Sequence, residues 1–138
     1  MVAVGGVVAA IVLGALVAYV FEATGHGTEE ISAFCIITIL NAVLVLVNHA
    51  VYALIGREEF VRREENPIFR WAVRHLGDTA FILSALLTPV FITALAQMWN
   101  CIFMRGLVYG AAITTLIICL DNDLRVLINL MREKHDSR

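Results

Sequence analysis

Charge is what this sequence has least of. Asp, Glu, Lys and Arg make up 16% of its 138 residues, against 60% hydrophobic. Soluble domains average about 25% charged residues. So few charges cannot cover so much apolar surface in water, which points to lipid as the solvent. The net charge is −2 and no long basic stretch occurs, so nucleic acid is not an expected partner. Only three cysteines are present, Cys35, Cys101 and Cys119, with neither a CxxC pair nor metal-ligand spacing. Cys35 and Cys101 fall toward the same side, which leaves a disulfide open. Buried cysteine more often serves as a small hydrophobe. The sequence lacks an N-x-S/T acceptor, a glycine-rich phosphate loop, HExxH and a nucleophile elbow, so no catalytic residue, metal or enzyme class is read from it.

What is there is hydrophobic length. The mean hydropathy is +0.84. Four apolar stretches cover about 2–21, 31–55, 76–98 and 103–120. Each approaches the roughly 20 residues that cross about 30 Å of hydrocarbon at 1.5 Å per residue. Such runs cannot be the alternating ten-residue strands of a membrane barrel. No charged n-region precedes Val2, and the first stretch is too long for a signal-peptide core, so it is expected to remain as a span. The fold class expected is all-α: one polytopic four-helix transmembrane bundle over residues 1–138.

Basic residues set the orientation. The connection 23–30 has no Lys or Arg. The next holds Arg57, Arg62, Arg63, Arg70 and Arg74, the following hairpin only Arg105, and the tail Arg125, Arg132, Lys134 and Arg138. The positive-inside rule puts the arginine-rich segment and tail in the cytoplasm. Four crossings then give both termini inside, in a plasma or inner membrane.

The segment at about 57–75 has helical composition and i,i+4 pairs such as Glu58–Arg62 and Glu59–Arg63. It is expected to extend the second helix into water, before Asn66-Pro67 caps and restarts the chain. Ile68, Trp71, Ala72 and Leu76 then share a face suited to the headgroup region, with Trp99 as the counterpart at the other boundary. The fourth helix is expected to continue through a tail at about 121–138. Its stripe of Leu120, Leu124, Leu127 and Met131 needs a partner to bury it.

Few polar residues remain as candidates. Gly6, Ala10, Gly14 and Ala18 repeat every four residues, the pattern that lets membrane helices approach closely, within one subunit or between copies. Thr38, Asn41 and Asn48, with His49 beside them, put polar groups on the second helix, as interhelical glue or as the lining of a path. Thr88-Pro89 predicts a kink, because proline removes the bond to Ala85. Thr88, Thr93 and Gln97 are the polar groups at hand to repair it. Together Asn41, Asn48, His49, Thr88 and Pro89 form a candidate polar path. Arg74, Asp78, Asp121, Asp123 and Arg125 form a candidate charge cluster. There Asp78 suits a helix N-terminus and either Arg74 or the dipole, and Asp121 can pair with Arg125. If Asp121 and Asp123 lay deeper, they would form an acidic ring in an oligomer, of the kind that selects cations. The loop around His26 reads as a solvated turn. A haem would need two buried histidines, whereas His26, His75 and His135 lie near surfaces, so no cofactor is expected.

The sequence therefore predicts a lipid-embedded protein that works by association, as an accessory, assembly or sensor subunit of a membrane complex or homo-oligomer. The alternatives are an oligomeric ion channel or pore, and a membrane redox or lipid-modifying enzyme subunit.

Overall fold

The computed structural model describes residues 28–138, which form five α-helices and no strand. They are α1 (Thr28–Ile55), α2 (Arg57–Arg63), α3 (Pro67–Leu76), α4 (Asp78–Gln97) and α5 (Ile102–Asp136). Three helical segments, Glu30–Ile55, Asp78–Gln97 and Phe103–Asp136, are long and apolar enough to cross a membrane. The stretch 2–21, with Gly6, Ala10, Gly14 and Ala18, lies outside the described residues.

α1 packs along both α4 and α5, and α4 also packs on α5. This makes a three-helix frame with two core clusters. One lies near the Arg105 end and is centred on Ile37, Ala96, Tyr109 and Leu116. The other lies at the arginine-rich end, where α2 and α3 fold under the frame and add Phe60, Val61 and Val73 to Val45, Val51 and Phe81. Phe81 is fully buried, and its ring meets those of His49, Tyr52, Phe60 and Phe69 at 5.1–5.6 Å between centroids. The steep angles between these rings let positive edges meet negative faces.

Two glycines make this end possible. The segment after the second apolar stretch is helical, but it does not extend α1. Gly56, at φ 83°, breaks the rod and turns α2 back toward the core. Gly77, at φ 58°, likewise separates α3 from α4, so α3 is a distinct helix beneath α4. Residues with a Cβ rarely adopt these angles. The Arg57 guanidinium donates to the Arg74 carbonyl at the C-terminal end of α3, where a cation suits the helix dipole. Asn66 caps α3 at the other end: its Oδ1 accepts from the Ile68 and Phe69 amides at 3.0 and 3.3 Å, with Pro67 in the first position.

α3 turns Phe69 and Val73 inward, while Ile68 and Trp71 stay exposed. Ala72 goes with the inward side. On α2, Glu59 binds both Arg62 and Arg63, at 2.7 and 2.6 Å, in place of two separate pairs. Those two hydrogen bonds hold the Glu59 carboxyl below its ordinary pKa.

α5 behaves differently. At 35 residues it measures roughly 52 Å, well beyond a hydrocarbon core. Only 11% of its apolar window is buried, against 39% for α1 and 33% for α4.

Candidate functional site: a polar cleft between α1, α5 and the α2–α3 turn

Apolar sequence dictates where the polar groups go. Within a low-dielectric frame, each amide or carboxylate has to find a partner. Asn41 is 3% exposed and points from α1 into α4. Its Nδ2 donates to the Ser84 carbonyl at 3.2 Å and to the Ala85 carbonyl at 3.3 Å. Ala85 is the residue whose carbonyl would otherwise receive a bond from position 89, and Pro89 has no N–H to give. The freed acceptor is therefore satisfied across the helix interface. This corrects the expectation that Thr88, Thr93 or Gln97 would repair it. Thr93 Oγ1, Gln97 Nε2 and the Tyr109 hydroxyl are buried and face one another where α4 meets α5.

The other members of the expected polar strip part ways. Asn48, two turns along α1, donates to Asp123 Oδ2 of α5 at 2.9 Å and to its own helix at Leu44. His49 faces α4 instead, with Nε2 at 3.4 Å from Asp78 Oδ1. Thr88 is half-buried and Pro89 buried inside α4. The strip thus resolves into three separate contacts: Asn41 to α4, Asn48 to α5 and His49 to the start of α4.

The expected charge cluster divides too. Asp78 meets His49, and the Arg74 main chain serves Arg57. Asp121 is exposed and pairs with Arg125 at 3.0 Å along the outer side of α5. Asp123 turns inward to Asn48, and Asn122 Nδ2 also approaches it at 3.4 Å. The stripe on α5 splits by the same rotation. Leu127 packs on the core beside Val126 and Leu130, whereas Leu124 and Met131 remain exposed, now joined by Ile128.

Asp123 stands in a cleft of about 640 Å³ between α1, α5 and the α2–α3 turn. Its lining combines apolar Leu44, Val51 and Phe60 with polar Asn48, Asp123 and Glu64. A volume of this size is in the range of small-molecule sites. Glu64 is half-buried, with Oε1 accepting from the Asn66 amide at 2.9 Å. Burial pushes its carboxyl above the ordinary glutamate pKa. The Asp123 carboxylate adds to the rise, and the Asn66 bond and Arg70 oppose it. Arg63, which also lines the cleft, is engaged by Glu59, and Glu65 adds another carboxylate, so the cleft has acidic character. Its groups can accept hydrogen bonds and attract cations.

At the opposite end, Arg105 pairs with Glu30 at 3.1 Å and donates to the Trp99 carbonyl at 2.8 Å. This joins the start of α1 to the start of α5. The three cysteines are free. Among the described residues, no group of three or more His, Cys, Asp or Glu is arranged to hold a metal ion.

Sequence reasoning missed two features. Glu64 looked like a solvated helix former, and its burial is set by the fold of α2 under α1. Gly106 and Gly110, four apart in an apolar run, were readable as a close-approach motif. Comparison with protein-family models, with curated proteins and with solved structures finds no match to this chain.

Proposed function

We propose that this chain is a four-span membrane protein with both termini in the cytoplasm, and that it works by association as an accessory, assembly or sensor subunit. A second copy of itself is the first partner to consider. The arginine asymmetry supports the orientation, and residues 2–21 supply the fourth span. One observation carries the association. Beyond the apolar window, α5 continues with Leu124, Ile128 and Met131 exposed at 38%, 53% and 57% on one side. That part of the helix also carries Arg125, Arg132, Glu133 and Lys134, so it belongs in water. An apolar stripe there gains from being covered.

Light scattering of the detergent-extracted protein tests this, with bound detergent subtracted. The expected mass is a multiple of the chain. Replacing Leu124, Ile128 and Met131 by Gln should reduce it to one chain. A wild-type monomer, both in detergent and in lipid discs, would overturn homo-association.

A second reading, an oligomeric ion channel or pore, is favoured by the inward turn of Asp123 onto Asn48. Ion flux into proteoliposomes should then fall on Asp123→Asn. Equal flux from the variant would remove Asp123 from any path.

A further inference from the structure

α3 turns one face into the core and leaves the opposite face uncovered among the described residues. Phe69 and Val73 point inward, and Ala72 goes with them. The outer face is a strip of Ile68, Trp71, Arg74 and His75, all exposed. The sequence pattern put Ala72 on this strip; the packing takes Ala72 inward and brings Arg74 and His75 there. Ile68 is 79% exposed and Trp71 60%, one turn apart, so a cover for them is worth having.

Three observations say what covers it. The first is continuity. Only Gly77 separates α3 from α4, and α4 is long and apolar enough to cross a membrane from Asp78 onward. The strip therefore ends where that helix would enter a bilayer. The second is charge. Among the described residues, the Arg74 guanidinium has no hydrogen-bond or ion-pair partner. The carboxylate one turn further on, Asp78, is engaged by His49 at 3.4 Å. Arg57 brings a second guanidinium to the same end of α3, where it donates to the Arg74 carbonyl. Two cations beside an apolar strip complement a layer of phosphates over hydrocarbon. The third is Trp71 itself. Its ring stacks on that of His75, with centroids 4.8 Å apart, and His75 Nδ1 lies 2.9 Å from the Trp71 carbonyl. The indole is thus held at the surface, and a ring with an apolar body and one N–H is at home at the membrane–water boundary.

We propose that α3 lies in the headgroup layer of the bilayer that α4 crosses, with Ile68 and Trp71 at the acyl boundary and Arg74 on the phosphate of an anionic phospholipid. This rests on the membrane-spanning reading above. An amphipathic helix in the interface gains both from burying its apolar side chains and from attraction to anionic lipid. Seated so, α3 anchors the α2–α3 turn, and with it the cleft around Asp123, at the level of the headgroups.

Fluorescence quenching tests the seating. Trp99→Phe leaves Trp71 as the sole tryptophan of the full chain, reconstituted in vesicles of phosphatidylcholine and phosphatidylglycerol. Trp71 should be quenched more by a nitroxide on the lipid headgroup than by one deep in the acyl chain, and it should be shielded from aqueous acrylamide. Strong acrylamide quenching with no effect of either nitroxide would overturn the proposal. The anionic preference is read by moving the headgroup nitroxide between the two lipids at equal content. Labelled phosphatidylglycerol should quench Trp71 more than labelled phosphatidylcholine. Arg74→Gln should lower the relative association with phosphatidylglycerol roughly fivefold, the worth of one cation at an anionic surface, and Arg74→Lys should retain it. Equal quenching by the two lipids in the parent chain would overturn the recognition of anionic lipid. A second probe separates this from failure of the membrane-spanning reading. In a chain with Trp71→Phe and Trp99→Phe, Leu87→Trp on the exposed side of α4 should be quenched by the deep nitroxide. If it is, while Trp71 stays open to acrylamide, the seating of α3 alone is wrong. If both probes stay open to acrylamide, the membrane-spanning reading falls and the seating with it.

Discussion

α4 and α5 are both apolar enough to cross a bilayer, yet the structure treats them in opposite ways. α4 has its backbone interrupted by Pro89, and the Ala85 carbonyl this frees is taken up by Asn41 of α1. Its first turns are wrapped by α1, α2 and α3, with Phe81 at the centre of four rings. α5 has no proline, and it is the longest helix and the least buried. Its polar residues are satisfied along its own length or face outward, apart from Arg105 and Asp123, which reach α1, and Tyr109, whose buried hydroxyl faces Thr93 and Gln97 of α4. The contrast shows how two helices of similar composition divide the work. One is fixed by neighbours at a costly backbone defect. The other needs no such repair, and among the described residues it keeps much of its surface uncovered.

The largest effect should come from the ring cluster. Phe81→Ala removes a fully buried side chain and is expected to destabilise the protein by about 3–5 kcal/mol. Phe103→Ala, on the open part of α5, should change stability by less than about 0.5 kcal/mol. Thermal unfolding in detergent would compare them, and similar losses would break the contrast.

Next comes the repair at the kink. Asn41→Leu leaves the Ala85 carbonyl unpaired and should cost about 1–3 kcal/mol. In a Pro89→Ala background the amide of residue 89 returns, and the cost of Asn41→Leu should shrink. A double-mutant cycle reads that coupling. Full additivity would mean that Asn41 is not answering the proline.

A smaller effect concerns Glu64 and pH. Its carboxyl pKa is raised on folding from the ordinary 4.5, so the folded state holds the proton more tightly than the unfolded chain. Between 4.5 and the raised value the unfolded state therefore binds fewer protons, and stability falls as pH rises through that window. Glu64→Gln should flatten this part of the pH–stability curve and raise stability at neutral pH. An unchanged slope would place Glu64 in water.

The smallest effect is expected at the outer pair of α5. Asp121→Asn breaks an exposed ion pair with Arg125 and should move stability by no more than about 0.5 kcal/mol. Asp123→Asn, on the inward side two residues later, should cost more. Equal effects would mean that the rotation of α5 about its axis is wrong.

Much of the fold was legible because a long uncharged apolar run favours a helix, the form that satisfies its own backbone. That rule found the three candidate spans within the described residues, and capping chemistry found the restart at Asn66-Pro67. The break at Gly56 was not legible, since glycine within a helical pattern is tolerated as often as it ends one. The polar face of α1 was legible as a set of residues but not as a set of contacts. Asn41, Asn48 and His49 lie close along one helix, and the positions of α4 and α5 decide that each meets a different partner. Glu64 had no signal at all, because a glutamate beside arginines reads as solvated wherever it stands.

The sequence by itself determined the helical state and the helices long and apolar enough to cross a membrane, since these follow from composition and run length, which are local quantities. Only the tertiary structure decided that Asn41 answers Pro89, that Asp123 faces in while Asp121 faces out, and that the described residues leave most of α5 exposed. Those outcomes depend on how helices rotate and approach one another, and rotation is set by packing against neighbours far away in the chain.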